Sequence, residues 1–237
     1  MRKFVAIIAL SLLTSTAQAQ DWCGQTISAS TALNQHQNCA GRPGIRLSSN
    51  VVLDMAGYTI SGATNSCVRS VVGGRNISVR NGTISGCGEE GIKFDGVYNG
   101  RATNVNLYNN GREGMWCIGC SQLIARWVDA RGNLRGFRVE NGGSLGENRL
   151  EYVTVIGNRI EGVLVKGGTK SLVYQSWLDG NTAEDLVYDA TTAGRALSNP
   201  WLGDVFFRNG ATNNRIIRSS YRTCLGDGTG SGSNSCN

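Results

Sequence analysis

Seven short segments recur through the chain at a nearly constant interval, and that interval decides most of what the chain can become. They are Gly44-Ile45-Arg46-Leu47, Cys67-Val68-Arg69-Ser70, Gly91-Ile92-Lys93-Phe94, Gly114-Met115-Trp116-Cys117, Gly136-Phe137-Arg138-Val139, Gly162-Val163-Leu164-Val165 and Asp185-Leu186-Val187-Tyr188, spaced by 23, 24, 23, 22, 26 and 23 residues. A second series of short apolar strands interleaves with them, from Val51-Val52-Leu53 to Tyr174-Gln175-Ser176-Trp177. Turns at Asn109-Asn110, Gly132-Asn133, Gly157-Asn158 and Gly180-Asn181 follow several of these strands. Asparagine tolerates the left-handed conformation of such turns, so identical turns stacked on one another are expected to form an amide ladder.

A period near 23 with two or three strands per unit and no helical pattern leaves few architectures. Leucine-rich repeats share the length, but their Leu-x-x-Leu-x-Leu signature is missing, and propeller blades need about 40 residues. A coil of parallel strands fits: each turn stacks on the next at about 4.8 Å, and neighbours bury a core that no single turn buries alone. The expected fold is all-β, a single right-handed parallel β-helix of about seven to eight rungs. Glycine at 33 of 237 residues with only 2 prolines suits many tight turns between short strands.

The segment from Asn50 to Gly62, Asn-Val-Val-Leu-Asp-Met-Ala-Gly-Tyr-Thr-Ile-Ser-Gly, resembles the first-coil signature of exported proteins with right-handed parallel β-helix repeats, in the pectate-lyase-like superfamily. The resemblance extends from about Cys23 to Tyr221. It implies the fold and leaves the reaction open, because that superfamily includes polysaccharide lyases, hydrolases and mannuronan-type epimerases beside members with no assigned activity. No catalytic motif of the pectate-lyase or polygalacturonase kind occurs, so no catalytic residue is carried over.

The ends of the chain set its compartment and boundaries. Met1-Arg2-Lys3, the apolar run Phe4 to Leu13 and Ala17-Gln18-Ala19 form the pattern of an export signal, expected to occupy residues 1–19. The run is too short to span a membrane, which takes about 20 residues. A secreted or periplasmic protein is expected, with residues 20–225 forming the β-helix and its N-terminal cap. An insertion is expected near 190–207, where the period breaks, and a Gly/Ser-rich tail at 226–237. Eight cysteines in an exported chain read as disulfides. Cys23 with Cys39 and Cys224 with Cys236 are placed to staple the two ends, whereas the pairing of Cys67, Cys87, Cys117 and Cys120 stays open. Cys117-Ile118-Gly119-Cys120 reads as a strand leaving a turn, not as the helix N-terminus that a redox motif needs. Zinc would need a second ligand pair, and the single histidine, His36, is far away in sequence.

Side chains alternate along a strand, so the repeat register also sorts faces. Ile45, Val68, Ile92, Met115, Phe137, Val163 and Leu186 point inward. Arg46, Arg69, Lys93, Trp116, Arg138, Leu164 and Val187 then point outward, one above another. A second outward column holds Ser48, Val71, Asp95, Ile118, Glu140, Lys166 and Asp189. A third, just before each strand, holds Ser66, Glu90, Glu113, Arg135, Glu161 and Glu184. Like charges opposite one another across strands are destabilising, and a bound anionic chain would relieve Arg46, Arg69 and Lys93. Trp116 suits stacking on a sugar ring, and the planar fork of Arg138 matches a carboxylate.

The expected function is a lyase or epimerase on a uronic-acid-containing polysaccharide. Lys93, flanked by like charge, is the candidate base, and Arg138 or Arg69 holds the carboxylate. Arg46, Arg69, Trp116, Asp95, Glu140 and Lys166 are the candidate binding residues. An inverting hydrolase with Asp95 and Glu140 two rungs apart is the second reading, and a non-catalytic polysaccharide-binding or envelope protein is the third. No cofactor or metal is expected: Asp95, Glu140 and Asp189 offer oxygen ligands for calcium, but no dense acidic loop marks a site. Without Arg2 and Lys3 the net charge falls from +6 to about +4, which favours an anionic partner. Dispersed basic residues, with no nucleic-acid motif, argue against nucleic acid. A monomer is expected.

Overall fold

The computed structural model describes residues 19–142, 147–167, 170–189, 194–209, 211, 213–226 and 234–236. The expected export signal up to residue 18, residues 190–193 and most of the expected tail lie outside the described residues. Every strand pairing in the described residues is parallel, in two sheets of ten and fourteen strands. The first sheet runs Thr26–Ile27, Ile45–Leu47, Val68–Ser70, Ile92–Asp95, Glu113–Ile118, Arg135–Glu140, Val163–Lys166, Leu186–Asp189, Asp204–Arg208 and Thr223–Gly226. Leaving aside the two outermost strands, eight rungs remain, at the top of the expected range. The alignment of glycine-led segments is the structural register: Ile45 faces Val68, which faces Ile92, and the series continues through Met115, Phe137, Val163 and Leu186. All of these inward residues are at most 1% exposed and belong to one continuous core.

The asparagine turns stack as the sequence suggests. Asn110 donates its side-chain amide to Asn133, Asn133 to Asn158, Asn158 to Asn181, and Asn181 to the carboxylate of Asp185, at 2.9, 3.2, 2.8 and 2.7 Å. Each of these side chains is at most 8% exposed, so the ladder replaces water for amides that would otherwise be buried without partners. The glycine opening each rung is the counterpart of this ladder. A Cβ on Gly91, Gly114 or Gly162 would lie 2.9, 3.0 or 2.5 Å from the Nδ2 of the adjacent ladder asparagine. Only glycine admits that approach.

Rungs of the second sheet bend at one left-handed residue. This column comprises Asn81, Asn104, Trp127, Tyr152, Gln175, Ser198 and Arg218, with φ between 45° and 59°. Asparagine is at ease there, whereas other L-residues pay roughly 1–2 kcal/mol.

Four disulfides close the described coils: Cys23–Cys39, Cys67–Cys87, Cys117–Cys120 and Cys224–Cys236. The two end staples are those expected. The Cys117–Cys120 bridge is buried in the core. Residues 194–208 differ from expectation: they do not leave the coil as an insertion. Arg195–Leu197 continues the second sheet opposite Leu172, Val173 and Tyr174, and Asp204–Arg208 continues the first opposite Leu186–Asp189. The period breaks because this coil is short. Leu186 pairs with Val205, 19 residues on, where the rungs from Ile45 to Leu186 take 22 to 26.

Candidate functional site

The outward column expected from the repeat exists in full register. Arg46 lies opposite Arg69, Arg69 opposite Lys93, Lys93 opposite Trp116, Trp116 opposite Arg138, and Arg138 opposite Leu164. It is not uniform, however, and divides into three stretches.

The first stretch is an open basic pocket. Arg46, Arg69, Lys93 and Asp95 line a hollow of about 160 Å³, together with Ser66, Ser70 and Glu89. Arg46 and Arg69 are exposed, and among the described residues neither has an ion pair. The Lys93 ammonium lies 4.2 Å over the Trp116 ring and has no carboxylate partner among the described residues. The Ser70 hydroxyl accepts from the backbone N–H of Asp95 at 3.1 Å, fixing the wall that carries that carboxylate. Three cations thus stand on adjacent rungs without an ion pair among the described residues, and the carboxylates lining the hollow, Asp95 and Glu89, are two against three.

The second stretch is a closed ion network, and it changes the expected roles of Trp116, Arg138 and Glu140. Trp116 is half-buried, and Lys93, Arg112 and Arg138 lie 4.2, 5.3 and 4.9 Å from its ring. Its indole N–H donates to Glu140 at 3.1 Å. The ring is thus a platform for the protein's own cations, not an open one for sugar, because an electron-rich face attracts the nearest cation. Arg138 donates to Glu140 at 2.7 and 3.0 Å and lies 3.6 Å from Glu113. Its fork is occupied, so it is not free to clamp a substrate carboxylate. Glu140 is 6% exposed and held by Arg138 and Trp116, while Ile118 stands between it and Asp95. These two carboxylates stand two rungs apart, and Glu140 is engaged by Arg138 and Trp116.

Beneath this surface lies a set of residues that sequence reasoning misassigned. Glu90 and Glu113, placed by the repeat in an outward column just before each strand, are completely buried. Glu113 is paired with Arg135 at 3.1 Å, and Arg135 also binds Glu161 at 2.6 Å. Arg112 covers one oxygen each of Glu90 and Glu113, at 3.6 and 3.7 Å, and neither oxygen accepts a hydrogen bond. The signal available in sequence was the interruption of the glutamates by Arg135, which marks charge alternation along a column rather than an acidic face.

The third stretch is apolar and covered. Leu164 is 5% exposed and Val187 fully buried, so the outward column ends as a surface at Arg138. Lys166 is exposed beside Glu140 on the next rung, away from the pocket lining. Among the described residues no cluster of three or more His, Cys, Asp or Glu is placed to hold a metal ion.

Comparison with known proteins bears on the scaffold. Among solved structures, the A-module of the mannuronan C-5 epimerase AlgE4 of Azotobacter vinelandii is similar, with a TM-score of 0.57 and 15% identity, over 85% of this chain and 80% of that one. At that identity the likeness is one of fold alone. No curated protein matches the chain. Residues 20–183 match the family model described as the right-handed beta helix region, a stretch that carries the glycine-led rungs, the basic pocket and most of the asparagine ladder, and the chain belongs to that family.

Proposed function

We propose that the chain binds a uronic-acid-containing polysaccharide in the pocket of Arg46, Arg69, Lys93 and Asp95, and acts on it as a lyase or epimerase. The observation that carries this reading is the stack of Arg46 and Arg69 in register, without an ion pair, beside Lys93 in one hollow. Such a stack is repulsive on its own and is relieved by carboxylates arriving on a ligand. Arg69 and Arg46 hold the uronate carboxylate and stabilise the charge that develops when the C5 proton leaves. Lys93 in its amine form takes that proton. For elimination the electron pair forms the C4–C5 double bond, the C4–O4 bond breaks, and O4 recovers the proton from the Lys93 ammonium. For epimerisation, C5 takes a proton from water on the opposite face, and Lys93 releases its own. Arg138 then acts as a positioning residue, through Glu140 and the Trp116 face on which Lys93 rests. The name of the structurally similar A-module, a mannuronan C-5 epimerase, supports uronate chemistry on this scaffold.

An oxidising compartment, secreted or periplasmic, is supported by the four disulfides. No helix of the described residues is long and apolar enough to cross a membrane.

The second reading is a binder that does not cut. It is favoured by the position of Lys93 over Trp116, where the protein's own ring already engages the ammonium at 4.2 Å. Incubation with alginate, pectate and glucuronan separates the two. A lyase produces the ultraviolet absorbance of unsaturated uronates, an epimerase exchanges solvent deuterium into C5, and a binder does neither while still being retarded by the polymer. Lys93→Ala is expected to lower turnover by about 10²–10⁴-fold with a small change in binding. Arg69→Ala is expected to weaken binding about tenfold or more. If Arg46→Ala, Arg69→Ala and Lys93→Ala leave turnover and affinity intact, the pocket is not the site.

A further inference from the structure

At the bend of the second sheet, Trp127 and Tyr152 occupy the left-handed corner that asparagine fills at Asn81 and Asn104, and they are 56% and 41% exposed. A bulky ring at such a position gains nothing from the backbone, and a ring left in water gains little from burial. Backbone outliers of this kind gather at ligand clamps. The two rings lie 6.2 Å apart and are inclined by 32°, and Tyr174 stands edge-on to Tyr152 at 5.7 Å. The Arg126 guanidinium, held by Glu151, lies 5.6 Å from the Trp127 ring, which unlike the half-buried Trp116 stays largely exposed beside its cation. Trp177, 45% exposed, opens the strand Trp177–Asp179 two residues after Gln175. Beside Tyr152 the surface falls into a shallow hollow of about 550 Å³, where Gln175, Ser198 and Arg218 supply amide, hydroxyl and guanidinium groups. Arg218 has no ion pair among the described residues.

Flat aromatic faces bordered by hydrogen-bonding groups match the two faces of a sugar ring, apolar C–H bonds on one side and hydroxyls at the rim. We propose that this corner is a second carbohydrate-binding site, on which a polysaccharide chain lies along the rod with its rings stacked on Trp127 and Tyr152 and its next residue reaching Arg218. Rungs about 4.8 Å apart are close to the length of one sugar residue, so consecutive rings of the ligand meet consecutive rungs. Stacking needs no charge on the ligand. The corner therefore takes neutral as well as acidic polysaccharides and keeps them at high salt, where the basic pocket releases them. It does not rest on the chemistry proposed for the pocket.

The test is affinity electrophoresis of the intact protein in gels containing hydroxyethyl cellulose, galactomannan, pectin or alginate. At about 1 M salt the Debye length is about 3 Å, which silences the pocket. Wild type and Arg69→Ala are expected to be retarded by at least one polymer. Trp127→Asn with Tyr152→Asn, which restores the residue type of the preceding rungs, is expected to bind about tenfold more weakly or worse at an unchanged or higher Tm. Trp127→Phe with Tyr152→Phe keeps the rings and is expected to keep the retardation. Equal retardation of the asparagine variant overturns the proposal. So does absence of retardation of wild type in all four polymers, or self-association of the wild type that the asparagine variant abolishes, since the occupant would then be a second copy.

Discussion

Arg135 is 18% exposed on its side chain and binds two glutamates from the rungs on either side, Glu113 with no exposure and Glu161 with 7%. A buried pair contributes little compared with an apolar replacement of both partners, but removal of one partner strands the other charge and costs about 3–5 kcal/mol. Arg138 and Arg112 still lie 3.6 and 3.7 Å from Glu113, and Arg208 lies 3.2 Å from Glu161, so neither charge is wholly stranded. Arg135→Ala is expected to lower the unfolding free energy by less than that, about 1.5–3 kcal/mol, read as a shift in the urea midpoint at constant slope. Asp54 gives a pH-dependent counterpart. Partial burial works to raise its pKa, but hydrogen bonds from the Ala56 N–H, the Asn81 amide and Arg80 outweigh it and hold the carboxyl below its ordinary 3.8. A depressed folded pKa means that stability is present above the unfolded value and lost as pH falls through the folded one. Asp54→Asn is expected to be less stable than wild type near about pH 7, with the difference closing below about pH 4. A constant difference across that range would remove Asp54 from the acid response. At this scale the sequence was a partial guide. It placed Arg46, Arg69, Lys93 and Asp95 together because their alternation is a local property of a strand. It could not foresee that Arg138 would turn to Glu140, since side-chain direction depends on which charges end up beneath the surface.

At the scale of the element, each coil is a closed circuit of strands whose inner contacts come from the coil above and the coil below. The Cys67–Cys87 bridge ties the start of one rung to the end of the long strand Arg75–Ser85, closing a loop of 20 residues. In the chain-entropy view such a loop is worth about 3 kcal/mol. Cys67→Ser with Cys87→Ser is expected to lose about that much, measured by denaturant unfolding against wild type. A loss well under about 1 kcal/mol would mean that the stacked strands already confine the unfolded chain. The second series of strands was legible from periodicity. The corner residues between its halves were not, because a single left-handed residue leaves no periodic trace and is readable only where asparagine occupies it. Trp127 and Tyr152 escaped notice for that reason.

For the whole molecule, repetition made the fold readable and left the reaction unread. A period of 22 to 26 residues specifies a solenoid through the sheer number of equivalent positions. Coils at both ends depart from it, and the one from Leu186 to Val205 looked like an insertion because about four fewer residues upset the alignment more than they upset the rung. Function has no such redundancy. The pocket takes its charged walls from three rungs, each used once, and the closed network beside it has similar residue types arranged to neutralise one another. Stability in such a rod is also nearest-neighbour in kind, so damage to one rung weakens the two beside it before it reaches the ends. The outermost strands, Thr26–Ile27 and Thr223–Gly226, are short and carry the terminal disulfides nearby, which limits the exposed edge offered to another chain.

The amide ladder also carries a direction. Every asparagine passes a proton donor one way, and the last acceptor, Asp185, spends its other oxygen on the backbone N–H of Asp204. A Cβ on Gly203 would meet that carboxylate at 1.9 Å, so the place beyond is shut. A gene duplicating one of the coils between Asn110 and Asn181 would lengthen the rod with each new amide finding a donor below and an acceptor above. The same duplication inserted after Asp185 would set an asparagine oxygen against a carboxylate, which has no N–H to donate to it. In this column growth by copying is open on one side and closed on the other, and Asp185 is the residue that marks where the count stops.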